Sequence, residues 1–300
     1  MTAPPTEKPS ADGEWTVGKI IEWTTAHLKK HGSDTPRLEA EILLAFTRKC
    51  PRIQLYVQYN ERLTDPQRAQ MRELVKRRAQ AEPVAYLVGH REFFGLDFQV
   101  TRDVLVPRPE TETLVLELIA AAKPHPQARI LDLCTGSGCI GIAAAVNLPA
   151  ASVTASDISP AALAIARKNA ESHQVESRVR LLEGDLFGPL GESDQFDVIA
   201  SNPPYVADGE MATLPPDVRL HEPHLALQAG PQGLDVIRRV IAGACGHLAP
   251  GGMLLIEFSP EQAPAVSQLI EDAGLFDAPR LIKDSAGLVR VIAARRRTSV

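Results

Sequence analysis

Ile130-Leu131-Asp132-Leu133-Cys134-Thr135-Gly136-Ser137-Gly138-Cys139-Ile140-Gly141 is the stretch of this chain that decides its fold. Apolar residues of strand character run into a loop of small residues, and an apolar segment follows. Small residues between a strand and a helix let the backbone come close to a bound ligand. A second strand, 152–156, ends at Asp157, about 20 residues past the first glycine of the loop. A carboxylate at that position can take both hydroxyls of a ribose.

Outward from this loop, strands and helices alternate. Strands are expected at 128–133, 152–156, 179–182, 196–201, 253–258 and 288–293, with helices at 160–173, 234–247 and 260–273 between them. Such alternation predicts an α/β fold, a doubly wound, mostly parallel sheet covered on both faces. Pro109, Glu110 and Glu112 put a proline and two acids into a helical first turn, as the helix dipole favours.

Upstream the pattern is helical. Val17, Ile20, Ile21, Thr24 and Leu28 recur at helical spacing after a possible Thr16 cap. Thr35-Pro36 opens a second helix, with Leu38, Ile42, Ala45 and Phe46 expected on its inner face. Thr64-Asp65-Pro66 opens a third, with Met71, Leu74 and Val75 inward. Its outer face carries Arg68, Arg72 and Lys76, which read first as a solvated face and second as a docking surface for an acidic partner. From 83 to 107, alternation at Leu96, Phe98 and Val100 around Gly95, and a short apolar run at 104–106, predict a β-hairpin linker. The expected organisation is a disordered tail at 1–13, a helical domain at 14–82, the linker at 83–107 and the main domain at 108–300.

Composition narrows the function. At 300 residues, 44% apolar and 23% charged, the chain has the make-up of an ordinary globular protein. A net charge of -5 offers no broad attraction for nucleic acid. Its 4 cysteines form no C-x-x-C pair and no Cys/His cluster with zinc spacing, so neither a disulfide framework nor a metal is expected. The first thirteen residues lack the apolar core of a signal peptide, and no run of about eighteen apolar residues exists to span a membrane. The expected address is the cytoplasm.

The loop itself admits two cofactors. Gly136, Gly138 and Gly141 satisfy the dinucleotide fingerprint G-x-G-x-x-G, so a nicotinamide enzyme competes. Two acids favour S-adenosylmethionine. Asp132, at the strand end, can organise the loop and help meet a cationic amino group, whereas it would oppose a pyrophosphate. Asp185 follows the third strand, where an adenine amino group needs an acceptor. The expected cofactor contacts are Asp132, Cys134, Thr135, Gly136, Ser137, Gly138, Asp157, Asp185, Leu186 and Asn202.

The fourth strand ends in Asn202-Pro203-Pro204-Tyr205. Ligands of open α/β sheets bind beyond the carboxyl ends of strands, so this tetrapeptide should face the cofactor. An amide nitrogen is a poor nucleophile because its lone pair is delocalised. It must be held in line and polarised. The Asn202 side-chain oxygen and the Pro203 carbonyl can each accept one N–H of a substrate NH₂. Pro203 and Pro204 stiffen the turn. The Tyr205 ring can lie on a planar amide, worth about 0.5–1.5 kcal/mol.

Several segments resemble the release-factor glutamine methyltransferases, the PrmC/HemK family. Arg37-Leu38-Glu39-Ala40-Glu41-Ile42-Leu43-Leu44 is similar to its R-x-E-A-x-x-L-L segment. Residues 82–93, from Glu82-Pro83 through Tyr86 and Gly89 to Glu92-Phe93, are similar to its E-P-x-x-Y-x-x-G-x-x-E-F signature. Val106-Pro107-Arg108-Pro109-Glu110-Thr111-Glu112 is close to its I-P-R-P-E-T-E. Arg219, Glu222-Pro223 and Gly251-Gly252 also fit. Cys134 stands where the family usually has glycine, and Leu186 where it commonly has an aromatic residue.

The resemblance implies a seven-stranded class I methyltransferase sheet with an N-terminal helical domain that helps hold a protein partner. It implies S-adenosyl-L-methionine as cofactor. It implies, as substrate, the glutamine of the Gly-Gly-Gln motif in class-1 peptide chain release factors. A ribosomal-protein glutamine methyltransferase and an adenine-N6 nucleic-acid methyltransferase, which can carry the same tetrapeptide, are the alternatives.

Overall fold

The computed structural model describes residues 15–298, and the tail expected at 1–13 lies outside them. The described chain divides into two compact units, the first ending at Val88 and the second starting at Gly89.

The first unit is five helices: α1 (Val17–Lys30), α2 (Pro36–Arg48), α3 (Arg52–Val57), α4 (Asp65–Arg78) and α5 (Val84–Val88). Thr16 caps α1, its hydroxyl accepting from the Lys19 N–H at 3.3 Å, and the five expected apolar-face residues of α1 are all buried. Thr64 and Gln67 form a reciprocal capping box at the start of α4, where Met71, Leu74 and Val75 point inward. Arg72 and Lys76 are exposed, and Arg68 pairs with Asp65.

The inner face of α2 differs from the expectation. Leu38 and Phe46 are exposed, and the buried set includes Ala40, Leu43, Leu44 and Thr47. The cause is electrostatic. Glu39 and Glu41 take inward positions because each finds charged partners. Arg78 grips Glu39 with two bonds of 2.9 and 3.0 Å, and Glu41 accepts from Arg37, Arg52 and Tyr56. A hydrophobicity pattern places carboxylates outside by default, and so sets the stripe off by a position or two.

The second unit opens with a hairpin, β1 (His90–Phe93) and β2 (Leu96–Gln99). Residues 84–88, expected within the linker, are instead the helix α5, started by Pro83 and anchored by Leu87 and Val88 in the first unit's core. The apolar run 104–106 forms no strand; Val104 and Val106 are buried from an irregular segment. The hairpin's Phe93 and Phe98 lie in the core of the second unit.

There follow α6 (Glu112–Ala122), β3 (Arg129–Leu133), α7 (Cys139–Asn147), β4 (Ser152–Asp157), α8 (Pro160–Ser172), β5 (Val179–Glu183), β6 (Phe196–Ser201), α9 (Pro216–His221), α10 (Asp235–His247), β7 (Leu248–Glu257), α11 (Ala263–Asp272), β8 (Arg280–Lys283) and β9 (Val289–Arg295). The seven-stranded sheet has the order β5-β4-β3-β6-β7-β9-β8. Strands β3 to β7 are parallel, and β9 runs antiparallel between β7 and β8. β8 escaped the sequence reading because it is a short edge strand whose residues are mostly exposed and lack alternation.

Successive strand residues feed opposite faces, as the pleat requires. Ile130, Val198, Ala200 and Leu255 join one core with α6, α7 and the hairpin. Leu131, Leu133, Ile199, Leu254 and Ile256 join the other with α10 and α11. The strand order reverses between β3 and β6, and in open α/β sheets the ligand crevice lies at that switch point.

Candidate active site

Leu133 pairs in register with Ser201, and the Ser201 hydroxyl donates to the Leu133 carbonyl at 2.9 Å. The glycine loop and the Asn202 tetrapeptide therefore leave the sheet side by side. Above them is a cavity of about 260 Å³ lined by both. Cys134, Thr135, Gly136, Ser137, Asp157, Asp185, Leu186, Asn202 and Pro204 line it. Gly138, Asp132, Pro203 and Tyr205 lie outside that lining. Gly138 starts α7 with a left-handed φ of 82°, and a Cβ there would come within 2.7 Å of Ile142 Cδ1.

The loop's amides identify what it is built to hold. A dinucleotide site needs free backbone N–H groups for pyrophosphate. Here the Gly136 N–H donates to Asp157 Oδ2 at 2.8 Å, the Gly138 N–H to the Thr135 carbonyl at 2.9 Å, and the Gly141 N–H to Asp132 Oδ2 at 2.9 Å. The three glycines of the fingerprint are engaged by carboxylates and a turn. Gly141 is small because a Cβ would stand 3.0 Å from Asp132 Oδ2.

Asp132 is fully buried. Its Oδ2 also accepts from the Thr135 hydroxyl at 2.6 Å, while Oδ1 has no partner among the described residues. An unpaired buried carboxylate oxygen beside the loop suits a cationic ligand group and opposes an anionic one. The same arrangement fits S-adenosylmethionine. Burial pushes the Asp132 carboxyl up to about 7, against the pull of Thr135 and Gly141.

Because this value lies above the ordinary 3.8, the carboxyl favours the folded state when protonated. That stability is fully present below the ordinary value and is lost as the pH rises through about 7. Asp132→Asn keeps an acceptor for Thr135 and Gly141 and cannot ionise. It is expected to raise the melting temperature of cofactor-free protein by more at about pH 8 than at about pH 5. Equal shifts at the two pH values would contradict the buried charge.

Asp157 closes β4. Its Oδ1 accepts from the Ser159 N–H at 2.9 Å and its Oδ2 from Gly136. Burial pushes its carboxyl up, and the amides of Ser159, Gly136 and Ile158 restrain the rise. Asp185 pairs with Arg239 at 2.6 Å, and both line the cavity. Arg239 was not anticipated from sequence, since nothing in the helix pattern of α10 marks it. Cys134 and Leu186 hold left-handed φ angles of 59° and 50° at the cavity wall, a strained state for residues with a Cβ. Burial pushes the Cys134 thiol up to about 12, which keeps it protonated.

Within the tetrapeptide, Asn202 is half-buried and its Nδ2 donates to the Thr111 hydroxyl at 3.2 Å. Pro203 is buried. The Tyr205 ring packs against the α10–α11 core, and its carbonyl accepts from Gln262 Nε2 at 2.9 Å. Burial, and then the charge of Glu257, push its phenol up to about 12. Arg108, which also lines the cavity, donates to both carboxylate oxygens of buried Glu222 at 2.7 Å. That pair ties the segment before α6 to the loop after α9. No group of three or more side chains able to hold a metal occurs among the described residues.

Comparison with known proteins bears on both units. Residues 19–89 match the model of the PrmC N-terminal domain, and residues 110–215 that of the methyltransferase small domain. The chain is 46% identical over 291 residues to the release factor glutamine methyltransferase of Rhodopirellula baltica, covering 96% of this chain and 98% of that protein. It is 42% identical over 290 residues to the release factor glutamine methyltransferase of Geobacter sulfurreducens, covering 97% and 99%. Among solved structures, the hMettl16 catalytic domain in complex with MAT2A 3'UTR hairpin 6 aligns with a TM-score of 0.55 at 17% identity, covering 76% of this chain and 83% of that one. This last likeness is one of fold.

Proposed function

The chain belongs to the release factor glutamine methyltransferase family, and from that premise we propose how its residues transfer a methyl group to the side-chain amide nitrogen of the Gly-Gly-Gln glutamine in class-1 release factors. S-adenosyl-L-methionine, when bound, supplies an electrophilic methyl group on a sulfonium. Asp157 takes the ribose hydroxyls, Asp185 the adenine amino group, and buried Asp132 attracts the cationic end. Asn202 and the Pro203 carbonyl accept the two N–H groups of the substrate amide, which fixes its plane and raises electron density on nitrogen. The nitrogen gains a bond to the methyl carbon as the carbon–sulfur bond breaks, its electron pair staying on sulfur, and the nitrogen gives up one N–H proton to solvent.

The observation that carries this reading is the register of Leu133 with Ser201, which brings the carboxylate-engaged glycine loop and Asn202 to one cavity. Positioning of this kind supplies effective molarities of about 10⁵–10⁸ M.

The first unit serves the protein partner. Its exposed Leu38 and Phe46 on α2, with Ile53, Tyr56 and Val57 on α3, offer apolar side chains that the unit's own core does not use. A cytoplasmic place of work follows from such a substrate, and no helix among the described residues is long and apolar enough to cross a membrane.

Labelled methyl transfer to purified release factor, run beside ribosomal protein and DNA, tests the choice. Label in release factor alone is expected. Label in ribosomal protein or DNA, with none in release factor, would overturn it.

A further inference from the structure

Most cations of α4 are answered within the first unit. Arg68 pairs with Asp65, Arg77 with Glu82 at 2.7 Å and Arg78 with Glu39 at 2.9 Å. Arg72 and Lys76 are exposed and have no carboxylate partner among the described residues. Both line a groove of about 470 Å³ between α1 and α4, where buried Val75 and the small Ala79, one turn apart, leave room between the helices.

The α1 side of the groove is a ladder of rings. Trp23, His27 and His31 follow at four-residue steps. Trp23 and His27 stack with centroids 4.9 Å apart and planes 11° apart, and the His27 and His31 centroids are 4.3 Å apart. Trp15 meets Trp23 at 88°. The rings turn their faces to one another and so present edges to the groove, and an aromatic edge is the positive side of the ring quadrupole. Burial, and then His31 and Lys30 beside it, push the His27 ring below its ordinary 6.5, so the ladder's middle ring is neutral at neutral pH. Trp23 is 48% exposed, a large apolar ring left in water beside two unanswered cations.

Such a groove suits an anion with an apolar neighbour. A single-stranded nucleic acid supplies the charge but binds by stacking its bases on free ring faces, and here His27 is held between Trp23 and His31. The net charge of -5 also opposes a polyanion. An acidic peptide suits both sides. Cations four residues apart on a helix stand about 5–6 Å apart at Cβ, the spacing of two carboxylates one turn apart on a partner helix. Resting on the substrate proposed above, we infer that the α1–α4 groove docks an acidic helical segment of the release factor, Arg72 and Lys76 taking its carboxylates and Trp23 covering an apolar side chain between them. The groove shares no residue with the exposed apolar side chains of α2 and α3.

Arg72→Glu combined with Lys76→Glu reverses the charge at two exposed positions that hold no partner in the fold. Binding of fluorescein-labelled release factor to the cofactor-loaded protein is read by anisotropy, with methyl transfer measured in parallel. The reversed variant is expected to bind about 10–10²-fold more weakly and to show a KM raised alike, with kcat, cofactor affinity and melting temperature unchanged. Native binding should weaken as salt rises, and the variant's should not. Arg72→Lys combined with Lys76→Arg keeps both charges and should bind as the native protein does.

Equal binding and KM in the reversed and native proteins, with release factor still methylated, would overturn the groove and leave the substrate reading standing. A charge-keeping variant as weak as the reversed one, or native binding indifferent to salt, would do the same. Binding that depends on Arg72 and Lys76 but brings no methyl group would instead refute the reaction. A native protein that neither binds nor methylates release factor would overturn both. Fluorescein-labelled oligouridine bound by the native protein and lost on charge reversal, with release-factor binding intact, would give the groove to RNA and overturn the inference.

Discussion

Asn202→Ala is expected to lower the rate of methyl transfer by about 10²–10³-fold, the cost of removing one positioned polar group at a reacting centre. The upper end of that range applies because orientation and polarisation are lost together. The fold should survive. Asn202 is half-buried at a strand end, and its only described side-chain bond is the one to Thr111. Tyr205→Phe should cost much less, since the ring packs against the α10–α11 core and only the hydroxyl goes. Single-turnover kinetics at saturating cofactor checks both. Near-native rates for Asn202→Ala with a large loss for Tyr205→Phe would reverse the assignment and make the phenol the working group.

Asp157→Ala is expected to weaken S-adenosylmethionine binding by about 10–10²-fold. Its carboxylate already accepts from the Ser159 and Gly136 amides, and a carboxylate has about four acceptor sites, so two remain for ribose hydroxyls. Hydrogen bonds to a charged group contribute about 1.5–3 kcal/mol, and each 1.4 kcal/mol is about tenfold in affinity. Loss of the Gly136 contact also loosens the loop. Titration calorimetry reads the change, and an unaltered dissociation constant would show that Asp157 shapes the loop without touching the ligand.

Much of this site was legible in the sequence because its chemistry is local. The glycine loop, Asp132 and Asp157 announce themselves by spacing along one strand-loop-helix unit, and their bonds close within that unit and the next strand. The tetrapeptide is four consecutive residues. Asn202 and Thr111 were not legible as partners. They lie 91 residues apart in the chain, and only the folded domain brings the Asn202 amide to the Thr111 hydroxyl. Thr111 stands inside a segment whose family resemblance was evident, but resemblance does not say what a hydroxyl touches.

The same limit explains the misreadings of the fold. The α2 stripe was misplaced because Glu39 and Glu41 are held inward by arginines from other segments. Residues 84–88 are helical because their apolar side chains complete the core of the first unit, which no short window of sequence reveals.

In this mechanism the methyl group arrives on an amide nitrogen of release factor. Acid hydrolysis of the methylated product identifies that nitrogen, because the group leaves in a form that records the atom it was bonded to. Release factor carrying labelled methyl is digested, the Gly-Gly-Gln peptide is isolated, and its hydrolysate is analysed. An N-methylated glutamine amide yields labelled methylamine and unlabelled glutamate. Labelled methanol, from a carboxyl ester, or label retained on lysine, arginine or histidine from another peptide, would contradict the account.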